Sequence, residues 1–277
     1  MNASTTTVPS KNVIITLSII LFFIVFAQWQ IYDLIMLNIS LDSNIVLVLY
    51  LLMPILSLLI YALFVKLIKS DFRKHGYKLP TPIIATKKCL LITIALIATY
   101  VVFVLASGIM GSLGPIQFPL SPAGIIYKIA NAVLFGLATE SIFRGYVFRN
   151  LLKGIGFFPS LYASALMFSL SQISIKTLVT WSSERLMNYI FTDILTAFAA
   201  GLFLGFYFYK IGWSLLGPAI FRMGVLFYFE PSPITSVNSP WWMALTFEVA
   251  AFAFMILMVD TTIIEPRYRR KKYGLES

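Results

Sequence analysis

Apolar residues run along this chain in eight long stretches, at about 13–34, 44–68, 89–111, 125–151, 157–178, 188–210, 212–230 and 241–264. Short breaks separate them: Asp42-Ser43-Asn44, the segment 111–122, Gly154-Ile155-Gly156, Gly212 and the turn-rich segment 230–240. A hydrocarbon layer about 30 Å thick calls for roughly 20 apolar residues in an α-helix. Helices also satisfy their own backbone in lipid, which open strands cannot do. The pattern therefore predicts an all-α, polytopic membrane bundle of about eight transmembrane helices. The turn at Gly212 is so short that the sixth and seventh stretches could be one broken element. The first stretch is too long for a signal-peptide core and lacks a small-residue cleavage site, so it is expected to stay as a helix.

Composition strengthens this picture. Apolar residues make up 59% of the chain and charged ones only 12%, with a mean hydropathy of +0.88. A soluble domain is nearer half apolar and one quarter charged. The 277 residues leave no room for a separate extramembrane domain. The single cysteine, Cys89, excludes an internal disulfide, and the single histidine, His75, excludes a His/Cys metal cage within one chain. His75 stands in the basic loop 69–88 and is expected to lie far from any intramembrane site.

The formal charge of +10 would suggest nucleic acid in a soluble protein. Here the basic residues flank apolar runs, so the expected partner is the lipid bilayer and not nucleic acid. With the N-terminus inside and eight crossings, Lys11, the seven cations of 66–88, Arg144, Arg149, Lys153, Lys210 and the cluster 267–272 fall on the cytoplasmic side. Only Lys128, Lys176 and Arg185 fall outside, and Arg222 is left within a span. The positive-inside rule favours this arrangement, with both termini cytoplasmic. Trp29, Trp181, Trp213, Trp241 and Trp242 all fall near helix ends, where interfacial tryptophans belong. The expected location is a cell membrane, crossed many times.

An ionisable residue at bilayer depth is costly, so each one marks a candidate site. In the fourth stretch Glu140 and Arg144 stand at i, i+4, which puts them on one helical face as an ion pair. Arg222 lies about ten residues from either end of the seventh stretch and needs an anion inside the bundle, with Glu140 and Asp193 as candidates. Gln172 adds a polar position to the fifth stretch. Gly201 and Gly205 form a small-xxx-small pair in the sixth, a sign of close helix packing.

Thr139-Glu140-Ser141-Ile142-Phe143-Arg144-Gly145, Phe168 followed four residues later by Gln172, and Pro218 followed by Arg222 and Leu226 resemble three motifs in order. They are those of the CAAX-processing and bacteriocin-processing (ABI) family of intramembrane proteases. The resemblance covers about 125–230. It divides the chain into N-terminal helices over 1–124, a CAAX-protease-like core over 125–230, and a last helix with a basic tail over 231–277. The family's motifs read Glu-Glu-x-x-x-Arg, Phe-x-x-x-His, and His followed four residues later by Asn. The resemblance implies a water activated by the paired glutamates and the histidines, with zinc as a candidate Lewis acid.

This chain departs from those motifs where the chemistry lies. Thr139 stands at the first glutamate, Gln172 at the first histidine, Arg222 at the second histidine and Leu226 at the asparagine. Glu140 and Arg144 are the retained positions, so no cofactor is expected, zinc included. Arg222 is expected to face Glu140, with Thr139 and Gln172 donating nearby. Three readings remain open. One is a degenerate homologue that binds a membrane protein or lipidated peptide without cutting it. Another is an active endopeptidase using Glu140. The third is an unrelated carrier, channel or lipid-handling protein.

Overall fold

The computed structural model describes residues 10–38, 43–68, 70–78, 83–109, 122–180, 186, 193–229 and 241–262. Asp42, Trp181, Arg185, most of 111–122, the segment 230–240 and the basic cluster 267–272 lie outside the described residues. Among the described residues there is helix and no strand. The helices are α1 Lys11–Asn38, α2 Ser43–Leu67, α3 Ile83–Ile109, α4 Pro122–Glu140, α5 Arg149–Ile155, α6 Phe157–Ser171, α7 Ile175–Thr180, α8 Leu195–Lys210, α9 Leu216–Phe229 and α10 Trp241–Thr262. A π-helical segment, Ser141–Phe148, joins α4 to α5, so those three pieces form one rod. A one-turn 3-10 helix, Phe72–His75, follows α2.

Among the described residues, four helical stretches are long and apolar enough to cross a bilayer: Asn12–Ile35, Val48–Leu67, Thr86–Phe103 and Ile125–Ile155. The helices α6, α8 and α9 are shorter, and the 15 residues of α6 reach only ~22 Å at 1.5 Å per residue. The sequence predicts an unbroken fifth helix over 157–178, and the structure corrects this. The chain leaves α6 at Gln172 and restarts at Ile175. Gln30 of α1 fills the gap, its amide donating to Ile173 O at 2.5 Å and accepting from Ile175 N at 2.9 Å. One side chain thus satisfies the backbone groups that the break frees. At Gly212 the chain does turn: Gly212 and Trp213 both take positive φ, and α8 and α9 are separate helices.

Polarity runs inside out relative to a soluble protein. Leu59, Leu63, Leu91, Ile126, Phe158 and Leu257 are exposed, while Glu140, Arg144, Asn150 and Glu248 are buried. Apolar surface outward and polar groups inward is the arrangement that lipid selects. Hydrogen bonds and small residues then join the helices. Trp29 Nε1 of α1 donates to Ser57 Oγ of α2 at 3.1 Å. The Tyr207 hydroxyl of α8 meets Thr93 Oγ1 of α3 at 2.7 Å. A Cβ on Gly201 would stand 2.9 Å from Ala165 Cα, so that glycine sets the closeness of α8 to α6.

These contacts sort the helix ends into two groups. Cys89, Tyr207, Lys210, Asp260, Gly145 and Leu215 gather at one end, where Lys210 Nζ meets Asp260 Oδ1 at 2.6 Å. Gln30 and Ile173 meet at the other.

Candidate functional site

The rod α4–π–α5 carries the centre of the site. Glu140 is the last α-helical residue of α4, and Arg144 lies one turn into the π segment. The sequence predicts plain α-helix here. The structure has the wider π turn, a geometry frequent at functional sites. The pair survives: Arg144 Nη1 donates to Glu140 Oε1 at 3.2 Å, with 2% and 0% of the two side chains exposed. Arg144 Nη2 also reaches Gly201 O on α8 at 3.4 Å. A side chain at 201 would push α8 off Ala165, so the glycine brings that carbonyl into range.

Phe168 of α6 packs its ring under two cations. The guanidinium carbon of Arg144 lies 4.4 Å from the ring centroid and that of Arg222, from α9, lies 5.2 Å away. Cation–π attraction of this kind strengthens when water is excluded. The positive charge of Arg222 acts on Glu140 and also on Arg144. Glu140 is therefore bonded to one guanidinium and within electrostatic reach of a second, and its other oxygen, Oε2, is buried with no hydrogen-bond partner.

The other expected members do less. Thr139 Oγ1 donates to Phe135 O at 2.8 Å, back into its own helix and not towards Glu140. Gln172 Nε2 donates to Phe168 O at 3.4 Å and to Ser171 Oγ at 3.1 Å, also local groups. Leu226 is buried and contributes only apolar surface. The expected ring of donors around Glu140 therefore reduces to Arg144, with Arg222 nearby. Threonine and glutamine satisfy themselves on backbone one turn away, which costs less than spanning the bundle.

His75 is the largest correction. It is expected in a remote loop, yet it is 1% exposed and docked on the π segment. Its Nδ1 meets Gly145 O at 2.9 Å and its Nε2 meets Ser70 Oγ at 3.0 Å. A carbonyl only accepts, so Nδ1 carries the proton and Nε2 accepts from the serine hydroxyl. The ring also stacks on Tyr146, with centroids 5.4 Å apart. Burial lowers its pKa to about 4. The approach is possible because residue 145 is glycine: a Cβ there would stand 2.6 Å from His75 O. Next along the chain, Gly76 takes φ +101° and its carbonyl accepts from Leu215 N at 3.0 Å. Tyr77 then bonds Ser141 through the hydroxyls at 2.5 Å. The signal was the trio Phe72, His75 and Tyr77, aromatic residues in a loop otherwise basic.

Glu248 of α10 is a second buried acid that sequence reasoning passed over. It lies beside Thr196 and Asp193, and Tyr100 lies within electrostatic reach of both Glu248 and Arg222. A carboxylate seven residues inside the last apolar run was the available sign. Asp193, one candidate partner of Arg222, thus has Glu248 for a neighbour.

The donors around Glu140 do not fit a divalent metal ion. One carboxylate oxygen is held by Arg144, the histidine positions carry Gln172 and Arg222, and the positive charge of Arg222 also acts on the acid. Among the described residues no group of three His, Cys, Asp or Glu side chains converges. An apolar cavity of ~330 Å³ opens between Gly76, Tyr77 and Lys78 of the loop, Leu137 of α4, and Leu216, Ala219 and Met223 of α9, and neither Glu140 nor Arg144 lines it. That volume is within the ~300–1,000 Å³ usual for ligand pockets. Leu137 precedes Glu140 by one turn, and Met223 follows Arg222.

Residues 121–228 match the family model described as type II CAAX prenyl endopeptidase Rce1-like. No curated protein matches the chain, and no solved structure does.

Proposed function

We propose that this chain, a membrane homologue of the CAAX prenyl endopeptidases through its residues 121–228, binds a lipidated or membrane-embedded polypeptide without cleaving it. The observation that carries this reading is the state of Glu140: buried, bonded to Arg144 and flanked by Arg222. A general base must reach a water and take its proton. Here Oε1 is held by Arg144, Oε2 has no surface that water can reach, and Thr139 and Gln172 donate within their own helices.

The apolar cavity between the loop 76–78, α4 and α9 supports the binding half of the reading. It offers hydrocarbon-lined space on the same helices, α4 and α9, that carry Glu140 and Arg222, which suits a lipid-modified peptide better than a soluble one. The proposed location is the cell membrane, with both termini on the cytoplasmic side.

Purified chain in detergent, incubated with a farnesylated peptide and with the same peptide unmodified, tests the binding. The farnesylated form is expected to be retained and recovered intact by mass spectrometry. Equal retention of both forms, or none of either, overturns the assignment of a lipidated ligand.

A further inference from the structure

The end of the bundle that holds His75 also gathers cations. Lys74 lies on the Phe72–His75 turn, and Arg149 and Lys153 lie on α5. Lys74 and Arg149 both act on Lys153, and Arg149 and Lys153 both act on His75, so the three charges share one neighbourhood. Lys74 and Lys153 are exposed, and among the described residues neither is ion-paired. Asp71 also acts on His75, but its carboxylate accepts from Arg73 N at 3.0 Å as the cap of its own turn. The neighbourhood keeps an excess of positive charge.

Asn150 supplies an independent sign. It is 0% exposed, and its Oδ1 accepts from Lys153 Nζ at 3.2 Å. Its Nδ2 is buried with no hydrogen-bond partner. A buried donor left unmade is costly, and most such groups in native proteins find an acceptor. Asn150 thus fixes the place of Lys153, and the exposed cations of this end lack an anionic partner among the described residues.

The rim says which anion. Ile155 and Phe158, which follow Lys153 by two and five residues, are exposed apolar side chains, with 68% of Phe158 uncovered. A free phosphate has no use for such a rim, whereas acyl chains do. Basic pockets between helices on the cytoplasmic side are suited to lipid headgroups.

We propose that Lys74, Arg149 and Lys153 form a headgroup site for an anionic phospholipid. The phosphate oxygens accept from these cations, Asn150 Oδ1 steadies Lys153 from beneath, and the acyl chains lie over Ile155 and Phe158. The site is separate from Glu140 and does not depend on what the cavity holds.

Native mass spectrometry of the full chain in detergent, titrated with phosphatidylglycerol or phosphatidylcholine, tests it. Phosphatidylglycerol is expected to bind in preference, roughly tenfold or more, and the double variant Lys74→Gln/Lys153→Gln to lose about that factor. The variant Lys87→Gln/Lys88→Gln, which removes two exposed cations of α3, is expected to change binding less than about twofold. Glycerol phosphate at millimolar concentration is expected to displace nothing. Equal binding of the two lipids, an equal loss in the α3 variant, or displacement by glycerol phosphate would each overturn the proposal, the last by making soluble phosphate the ligand.

Discussion

Arg144 holds three groups at once: Glu140 Oε1 on its own rod, Gly201 O on α8 and the face of Phe168 on α6. Removing it would leave a buried carboxylate without its nearest cation, a change that typically costs 3–5 kcal/mol. Arg222 also acts on Glu140, which offsets part of that cost. Arg144→Met is therefore expected to destabilise the chain by about 3 kcal/mol, read as a lowered Tm in detergent. Arg144→Met/Glu140→Gln, which removes the charge as well, is expected to recover a large share. A double variant as unstable as the single would contradict the pairing. This pair was legible in the sequence, because spacing four in an apolar helix leaves two opposite charges little choice. Thr139 and Gln172 were not, because short-range backbone acceptors compete with a distant carboxylate and spacing cannot show which wins. Glu248 was overlooked because a lone acid without a motif gives no partner to look for.

Among the elements, the join between the Phe72–His75 turn and the π segment decides how the centre is closed from one end. It rests on two glycines, Gly145 and Gly76, whose missing side chains allow the loop to approach. It also rests on a neutral His75. Its pKa falls to about 4 when folded against an unfolded value of 6.5, so the unfolded chain takes up the proton first as pH drops. This contribution is complete above about pH 6.5 and is lost as pH falls through that value towards 4, amounting to roughly 3 kcal/mol at the lower limit. Tm of the wild type is expected to fall between pH 7.5 and 4.5 more steeply than that of His75→Phe. Parallel pH profiles would contradict the buried, neutral assignment. Helix existence was legible for every apolar run that has described residues, since 20-residue stretches admit few alternatives in lipid. The π turn, the break at Gln172 and the docking of the loop were not. Each depends on a contact between residues far apart in sequence, such as Gln30 with Ile173 and Ile175.

For the whole molecule, polar groups inside and apolar groups outside define a helical membrane bundle whose core, residues 121–228, matches the CAAX endopeptidase family model. Hydropathy carried the bundle, because helices must hide their backbone and show apolar side chains to lipid, and the three motifs carried the family. What they could not carry was the fate of the chemistry, which depends on where Arg222 points and on what Glu140 touches. In the structure Arg144 bonds the one retained acid, the charge of Arg222 acts on it, and Thr139 and Gln172 donate to groups of their own helices. The most direct test compares wild type with Glu140→Gln, purified in detergent and incubated with a farnesylated CAAX peptide, with products scored by mass spectrometry. Both are expected to leave the peptide uncut, at the level of buffer alone. A product released by the wild type and lost in Glu140→Gln would contradict the account, because Glu140 would then be a working base.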